Sequence, residues 1–116
     1  LVVISASIIE ELQDKLGKYE LLPYFSKVIG TRIEGKRYDK SSFIQKIIEE
    51  FNADKEKVIL IGDREVDFEE GTRAGLKKII LVEYGWGYNK GNVPQQSYLV
   101  HTPRDLLEAV KLKLEE

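Results

Sequence analysis

The chain has 116 residues, of which 42% are hydrophobic and 33% charged, and its net charge is −2, a composition typical of one folded domain. It contains no cysteine and one histidine, which excludes disulfides, cysteine nucleophiles and zinc sites built from several histidines. Since it carries no basic block and no apolar run of about 18 residues, we expect no nucleic-acid partner, no membrane span and a cytoplasmic location.

Short apolar runs alternate with amphipathic segments, the pattern of βαβ units and a mainly parallel sheet. The predicted strands cover residues 1–4, 28–30, 58–61, 79–82 and 98–100. The predicted helices cover residues 8–17, 41–51, 66–74 and those from 103 onward, with a loop at 85–94. A capping box of Ser7 and Glu10 is expected to begin the first helix, Gly75 to end the third and Thr102 to cap the fourth. The buried face of the last helix is expected to comprise Leu106, Leu107, Val110 and Leu114.

Two carboxylates follow one of the predicted strands at a spacing of four residues. The apolar run 59–61 ends in Gly62 and Asp63, and Asp67 follows in the first turn of the next predicted helix. Open α/β sheets bind ligands beyond the carboxyl ends of their strands, and Mg²⁺ favours carboxylate oxygens together with phosphate and water. The pattern therefore predicts a Mg²⁺ site at Asp63 and Asp67. The plainer alternative is a solvated loop acid followed by an acid that favours the helix dipole.

Four short motifs follow one another along the chain. Residues 2–5 form an apolar strand ending in Ser5, and Lys40 stands just before a predicted helix. The acidic motif at 62–67 comes next, and residues 82–87 combine glycines with aromatic side chains. In this order they resemble the second, third and fourth motifs and the glycine-aromatic loop of the haloacid dehalogenase-like hydrolases, within the phosphoglycolate phosphatase-like branch. The resemblance implies an α/β, Rossmann-like three-layer core with a mainly parallel sheet.

The same resemblance implies a Mg²⁺-dependent phosphatase that hydrolyses a small phosphorylated metabolite, a phosphomonoester, through an aspartyl-phosphate intermediate. Phosphoryl transfer concentrates charge on the transferred oxygens, so the site needs positive and hydrogen-bonding groups. The Ser5 hydroxyl, the Ala6 amide and the Lys40 ammonium would bind the phosphate. Asp63 would bind Mg²⁺, while Asp67 would hold a metal-bound water or orient Lys40. Ser5, Lys40 and Asp67 are thus the predicted catalytic residues.

The sequence departs from the family pattern at its beginning. The family's first motif, an Asp-x-Asp that supplies the nucleophile and the general acid, has no match in the chain. Because the chain has no methionine and begins inside an apolar run, we expect this motif and the cap module, which sets substrate choice, upstream of Leu1. Residues 1–116 are then the carboxyl-terminal part of the hydrolase core, inactive alone. An upstream segment of the same protein, or another chain, is expected to complete the sheet.

Several alternatives remain open at the level of sequence. Lys40 has other cations near it in the sequence, namely Lys36, Arg37 and Lys46. The simpler interpretation is therefore that Lys40 is an ordinary surface lysine. The chain is alternatively a non-catalytic α/β interaction module that kept the scaffold, or a receiver-like domain with an acidic Mg²⁺-binding edge. Mutase or phosphonatase chemistry on the same core also remains open, and the sequence does not name a substrate.

Overall fold

The computed structural model describes residues 1–84 and 98–115, so the predicted loop at 85–94 lies outside the described residues. The chain divides into two compact units, Leu1–Phe43 and Ile44–Glu116. Within the described ranges, no helix combines the length and the apolar character that crossing a bilayer requires.

The first unit is a βαβ arrangement followed by a hairpin. Strand β1 (Val2–Ser5) pairs in parallel with β2 (Lys27–Gly30), and Ser5 lies opposite Gly30 at the carboxyl end of the pair. A 3-10 turn at Leu22–Tyr24 lies between the helix and β2. The elements of this unit, in chain order, are β1 (Val2–Ser5), α1 (Ile9–Lys18), β2 (Lys27–Gly30), β3 (Arg32–Ile33) and β4 (Lys36–Arg37).

Helix α1 is amphipathic, but it does not begin as predicted. Leu12 is buried and Leu16 half-buried, on one stripe of the helix. The N-cap is Ile8, whose side chain makes no capping hydrogen bond, so the predicted capping box is wrong. The Ser7 hydroxyl lies instead 2.9 Å from the Ser5 hydroxyl, because a serine can bond to nearby groups in a turn as readily as it caps a helix.

A two-stranded hairpin follows β2 and was not predicted from the sequence. Its strands pair antiparallel, with Ile33 opposite Lys36. Glu34 and Gly35 make the turn with φ values of 51° and 80°, which is the left-handed backbone that two-residue hairpin turns need at both central positions. Glycine accepts this conformation without a steric penalty.

The second unit contains a parallel sheet of three strands, in the spatial order β5 (Ile59–Gly62), β6 (Lys78–Val82) and β7 (Tyr98–Val100). Its middle strand is buried at all five residues, which explains why it reads in sequence as a continuous apolar run. Helix α2 (Lys40–Glu50) includes the last residues of the first unit and the first residues of the second. The remaining elements are β5 (Ile59–Gly62), α3 (Glu65–Arg73), β6 (Lys78–Val82), β7 (Tyr98–Val100) and α4 (Pro103–Glu115).

The core of this unit lies between its sheet and α4. Ile80 and Val82 of β6, Val100 of β7 and Ala109 of α4 are all buried there. Leu107 and Leu114, which the sequence places on the buried face of α4, are 63% and 58% exposed, so that part of the prediction is wrong. The small side chain of Ala109 faces the sheet instead.

The ends of two helices agree with their predicted signals. Gly75 has φ 94° after α3, as expected of a helix-terminating glycine. The Asp105 amide donates to the Thr102 hydroxyl at 3.3 Å at the start of α4, as expected of an N-cap threonine. Helices and parallel strands occur in both units, which confirms the predicted α/β fold class.

Candidate functional site

Ser5, Ala6 and Ser7 form a compact turn at the carboxyl end of β1. The Ser7 amide donates to the Ser5 hydroxyl oxygen at 3.3 Å, and the two hydroxyl oxygens lie 2.9 Å apart. All three residues are half-buried, so their polar groups remain within reach of a ligand. This turn, called the Ser5–Ser7 turn, contains two of the three residues predicted to bind phosphate.

Gly30 allows the Ser5–Ser7 turn to lie directly against the end of β2. A Cβ atom at residue 30 would lie 2.5 Å from the carbonyl oxygen of Ser7 and 2.6 Å from the amide nitrogen of Ile9. Both are backbone atoms, which cannot rotate away as a flexible side chain can. The sequence carries no signal for this role of Gly30, since the contact joins residues more than 20 positions apart.

The residues after Gly30 bind the carbonyl groups of the same turn. The Thr31 amide donates to the Ser5 carbonyl at 2.8 Å, and the Arg32 amide donates to the Ser7 carbonyl at 3.3 Å. Thr31 is fully buried, and among the described residues its hydroxyl has no hydrogen-bond partner. The end of β2 therefore determines the shape of the Ser5–Ser7 turn.

We expect Gly30→Ala to destabilise the full-length protein by about 1–3 kcal/mol, the usual cost of forcing an extra carbon into a filled space. Gly17→Ala is the matched control, because a Cβ there meets only Leu22 Cδ1 at an ordinary 3.5 Å. Within a helix that substitution is expected to stabilise by up to about 1 kcal/mol. Urea unfolding measures both changes, and equal midpoints for the two variants would contradict the close contact at Gly30.

Lys40 is the first residue of α2 and is half-buried. The Asp39 carboxylate before it accepts the Ser41 amide at 2.7 Å, so Asp39 caps the helix and holds the backbone of Lys40 at the helix start. The Tyr38 amide donates to the Thr31 carbonyl at 2.9 Å. Thr31 is therefore bonded both to Ser5 and to the segment that leads into Lys40.

The two predicted metal ligands lie in one turn at the carboxyl end of β5. Asp63 directly follows that strand, and Asp67 is in the first turn of α3, as predicted. Asp67 is 6% exposed, and its Oδ2 accepts the amide of Asp63 at 3.1 Å and that of Arg64 at 3.2 Å. Asp67 thus fixes the backbone of the residue that is expected to bind metal.

Gly62 provides the space in which the Asp67 side chain lies. A Cβ at residue 62 would be 2.5 Å from the Asp67 Cβ and 2.6 Å from its Oδ2. The motif therefore needs glycine before Asp63 for a steric reason, because a larger residue would displace the Asp67 carboxylate from the two amides.

Replacing Asp67 with alanine is expected to destabilise the full-length protein by about 1–2 kcal/mol, the upper range for losing a capping side chain. Asp54→Ala is the control, since Asp54 accepts a single amide, that of Glu56 at 3.0 Å, on an exposed turn. Chemical denaturation should show a smaller loss for the control. The same loss in both variants would mean that neither the burial of Asp67 nor its second hydrogen bond adds to the free energy of unfolding.

The structure thus forms two groups of predicted residues. Ser5, Ala6 and Lys40 belong to the first unit, and Asp63 and Asp67 share one turn of the second. Their convergence on a single ligand remains a prediction.

The turn that contains Asp63 and Asp67, here called the acidic turn, fits an open magnesium site better than a closed one. Among residues 1–84 and 98–115, no group of three or more acidic or histidine side chains forms a candidate metal cluster. Mg²⁺ is commonly held by one or two carboxylates, with substrate phosphate and water as its other ligands. Asp63 and Asp67 match that donor set, which is the chemistry of a metal bound together with its substrate.

Comparison with known protein families gives a match over most of the chain. A family model described as haloacid dehalogenase-like hydrolase matches residues 1–81. The chain belongs to the haloacid dehalogenase-like hydrolases. The matched segment contains Ser5, Lys40, Asp63 and Asp67, so three of the four motifs behind the sequence resemblance lie inside it, and the glycine-aromatic motif at 82–87 lies just beyond its end.

Individual members of this family are similar to the chain in sequence and in fold. A phosphoglycolate phosphatase of Aquifex aeolicus (strain VF5) is 31% identical over 101 residues, which is 86% of this chain and 46% of that protein. A structure from Clostridium difficile, described as a phosphatase, has a TM-score of 0.82 and 26% identity, covering 95% of this chain and 52% of that one. A second, from Clostridium acetobutylicum, has a TM-score of 0.79 and 28% identity, covering 100% and 52%. The chain spans about half the length of these relatives.

Proposed function

We propose that the full-length protein is a Mg²⁺-dependent phosphatase that hydrolyses a small phosphomonoester through an aspartyl-phosphate intermediate. One observation carries the proposal. The segment that matches the family contains, in order, the Ser5–Ser7 turn, Lys40 and the acidic turn. Each lies where a strand ends or a helix begins. Membership of a hydrolase family and a phosphoglycolate phosphatase relative support the same activity.

The first unit would bind the phosphoryl group. The Ser5 hydroxyl and the Ala6 amide would donate hydrogen bonds to its oxygens, and Lys40 would add a positive charge. These groups lie on a turn and a helix start whose backbones are fixed by Gly30, Thr31 and Asp39. Donors held in place before the reaction stabilise developing charge without a cost of reorganisation.

The acidic turn would hold Mg²⁺, which when bound offsets the negative charge of the phosphoryl oxygens. Asp63 would supply the carboxylate ligand. Asp67 would act through a metal-bound water or through its hold on the Asp63 backbone, since its Oδ2 already accepts two amides. Asp63 is half-buried and Asp67 buried, which favours a role in binding for the first and in positioning for the second.

The chain itself, residues 1–116, we infer to be inactive. Two of the carboxylates next to the predicted site are engaged in capping, Asp39 on α2 and Asp67 on α3. The sequence contains no Asp-x-Asp, so we propose that the nucleophile comes from such a segment outside residues 1–116.

A further strand is proposed to supply that segment. Among the described residues, β1 is hydrogen-bonded only to β2, and β5 only to β6. Every residue of β1 is half-buried, and Ile61 of β5 is 42% exposed, whereas all of β6 is buried. Strand edges with open backbone groups are surfaces on which another strand can pair. The pairing segment would come from the same protein or from another chain.

The test is hydrolysis of p-nitrophenyl phosphate by the full-length protein, with Mg²⁺ and with a chelator. We expect turnover with Mg²⁺, its loss in chelator and its return when Mg²⁺ is restored. Turnover that does not respond to the chelator would contradict the metal requirement. A protein that binds phosphomonoesters without turnover would favour the non-catalytic interaction module.

A further inference from the structure

We propose that helix α4 is the surface through which two copies of the full-length protein associate, with the α4 helices of the two copies packed antiparallel. The interface would consist of an apolar stripe and a row of alternating charges that runs beside it. Such association is independent of the reaction proposed above.

One side of α4 exposes two leucines that its own sheet does not cover. Leu107 and Leu114 are 63% and 58% exposed, and their separation of seven residues places them two turns apart on the same side of the helix. The half-buried Val110 lies between them. These three residues form the apolar stripe. Their spacing of three and four residues is that of a seam along which one helix packs against another.

A row of charged residues runs along one edge of the apolar stripe. Its members, all exposed, are Arg104, Glu108, Lys111 and Glu115. Spacings of four, three and four residues keep them on one side of the helix, next to the two leucines. The sign of the charge alternates along this charge row, beginning with positive and ending with negative. Read in the reverse direction, the row therefore carries the opposite sign at each position.

This order of charges favours a second copy of the chain, in the antiparallel orientation, as the partner of the stripe. A two-fold axis between antiparallel helices brings the same flank of each helix together. With the leucines of the two copies side by side, Arg104 lies near Glu115 of the second copy, and Glu108 lies near Lys111. Each of these pairs of opposite charge occurs twice, because the interface is symmetric. A parallel pair of helices would place the two charge rows on opposite sides of the interface.

Ion pairs within the helix account for part of this pattern but not for the apolar stripe. Arg104 and Glu108 are four residues apart, as are Lys111 and Glu115, and this spacing suits stabilising pairs on a helix surface. Such pairs give no reason for two large apolar side chains beside them. A contact between helices explains both features, because it buries the leucines and matches the charges across the interface.

The interface is short, so the dimer is expected to be weak. Helix α4 has 13 residues and is therefore about 20 Å long, which places a pair of such helices at the low end of specific interfaces. We expect a dissociation constant in the micromolar range. The leucines would supply most of the affinity, and the charges would determine the orientation.

Sedimentation equilibrium of the full-length protein measures this association. Between about 1 and about 500 μM, a range that brackets a micromolar dissociation constant, we expect a reversible equilibrium of monomer and dimer. Leu107→Gln should raise the dissociation constant by about tenfold or more, because it removes an apolar side chain from both symmetric contacts.

Leu112→Gln is the matched control for this substitution. Leu112 is also an exposed leucine of α4, at 48%, but it lies five residues from Leu107 and hence on a different side of the helix. The dissociation constant of this variant should remain within about twofold of that of the unaltered protein.

Charge reversal tests the antiparallel orientation. Glu108→Lys places a lysine near Lys111 of the second copy, and we expect it to raise the dissociation constant by about fivefold or more. Lys111→Glu should have the same effect through two glutamates. Combining the two substitutions restores opposite charges across the interface and should restore the dimer. The combination also breaks both ion pairs within each helix, so its recovery cannot come from a more stable helix.

Three results would overturn the proposal. One is a full-length protein that stays monomeric over the whole concentration range; a loss of stability in Leu107→Gln during urea unfolding would then mean that the same chain covers the stripe. The second is a dimer whose dissociation constant is the same in Leu107→Gln and Leu112→Gln, since the contact then lies elsewhere. The third is a double charge reversal that weakens the dimer more than either single reversal, since the charge rows then do not face each other.

Discussion

Replacing Asp63 with alanine is expected to lower Mg²⁺-dependent turnover of the full-length protein by at least about a hundredfold. Losses of this size are usual when one group that stabilises the charge of a transition state is removed. Asp63 directly follows β5 and is half-buried, so its carboxylate is the proposed metal ligand. Stability should change little, because partly exposed loop substitutions usually lie within about 0.5 kcal/mol. Steady-state kinetics and urea unfolding of the same preparation measure the two effects.

Glu65→Ala is the control for this substitution. Glu65 is exposed and begins α3 two residues after Asp63, so Glu65→Ala removes an equivalent charge from the same turn. Its kcat should remain within about twofold of the unaltered protein. Unchanged turnover in Asp63→Ala, or the same loss in both variants, would remove Asp63 from the mechanism.

Residues 1–116 alone are expected to lack a cooperative unfolding transition, whereas the full-length protein should show one. The free edges of β1 and β5 leave backbone groups without strand partners among the described residues. Each such group costs about 1–3 kcal/mol where it is buried away from water. The summed cost of several such groups is comparable with the net free energy of unfolding of a typical domain, about 5–15 kcal/mol.

Circular dichroism during urea titration, together with amide hydrogen exchange, measures this difference. In the longer protein, the amides of β1 and β5 should be protected to nearly the same degree as those of β6. In the isolated chain, they should exchange much faster than those of β6. A sharp two-state transition of the isolated monomer, with protected edges, would contradict the proposed additional strand.

Much of the second unit was predictable because its signals are local. The run 79–82 predicts β6 to within one residue of its observed start at Lys78, since a strand buried on both faces needs a continuous apolar run. Gly75 and Thr102 mark the end of α3 and the start of α4 for equally local reasons. The position of Asp63 follows directly from where β5 ends.

The errors arise where contacts distant in sequence decide the conformation. Ser7 has the sequence of a capping residue, but it lies in a turn that packs against Gly30 and bonds to Arg32. The hairpin was missed because each of its strands has only two residues, too short for an alternating pattern. The one available signal was Gly35 at a possible turn.

The residues that position the site were the least predictable part of it. Ser5, Lys40 and Asp63 carry recognisable chemistry, whereas Gly30 and Thr31 act through packing and backbone hydrogen bonds that a sequence pattern does not contain. The capping role of Asp67 was partly visible, because an acid in the first turn of a helix is favoured there in general.

The most direct test is a crystal structure of the full-length protein with Mg²⁺ and inorganic phosphate. We expect one phosphate within hydrogen-bond distance, about 3 Å, of both the Ser5 hydroxyl and the Lys40 ammonium, and Mg²⁺ at about 2.1 Å from an Asp63 carboxylate oxygen. A phosphate that contacts none of these residues, or an Asp63 too far from Ser5 and Lys40 to share one small ligand with them, would contradict a common site.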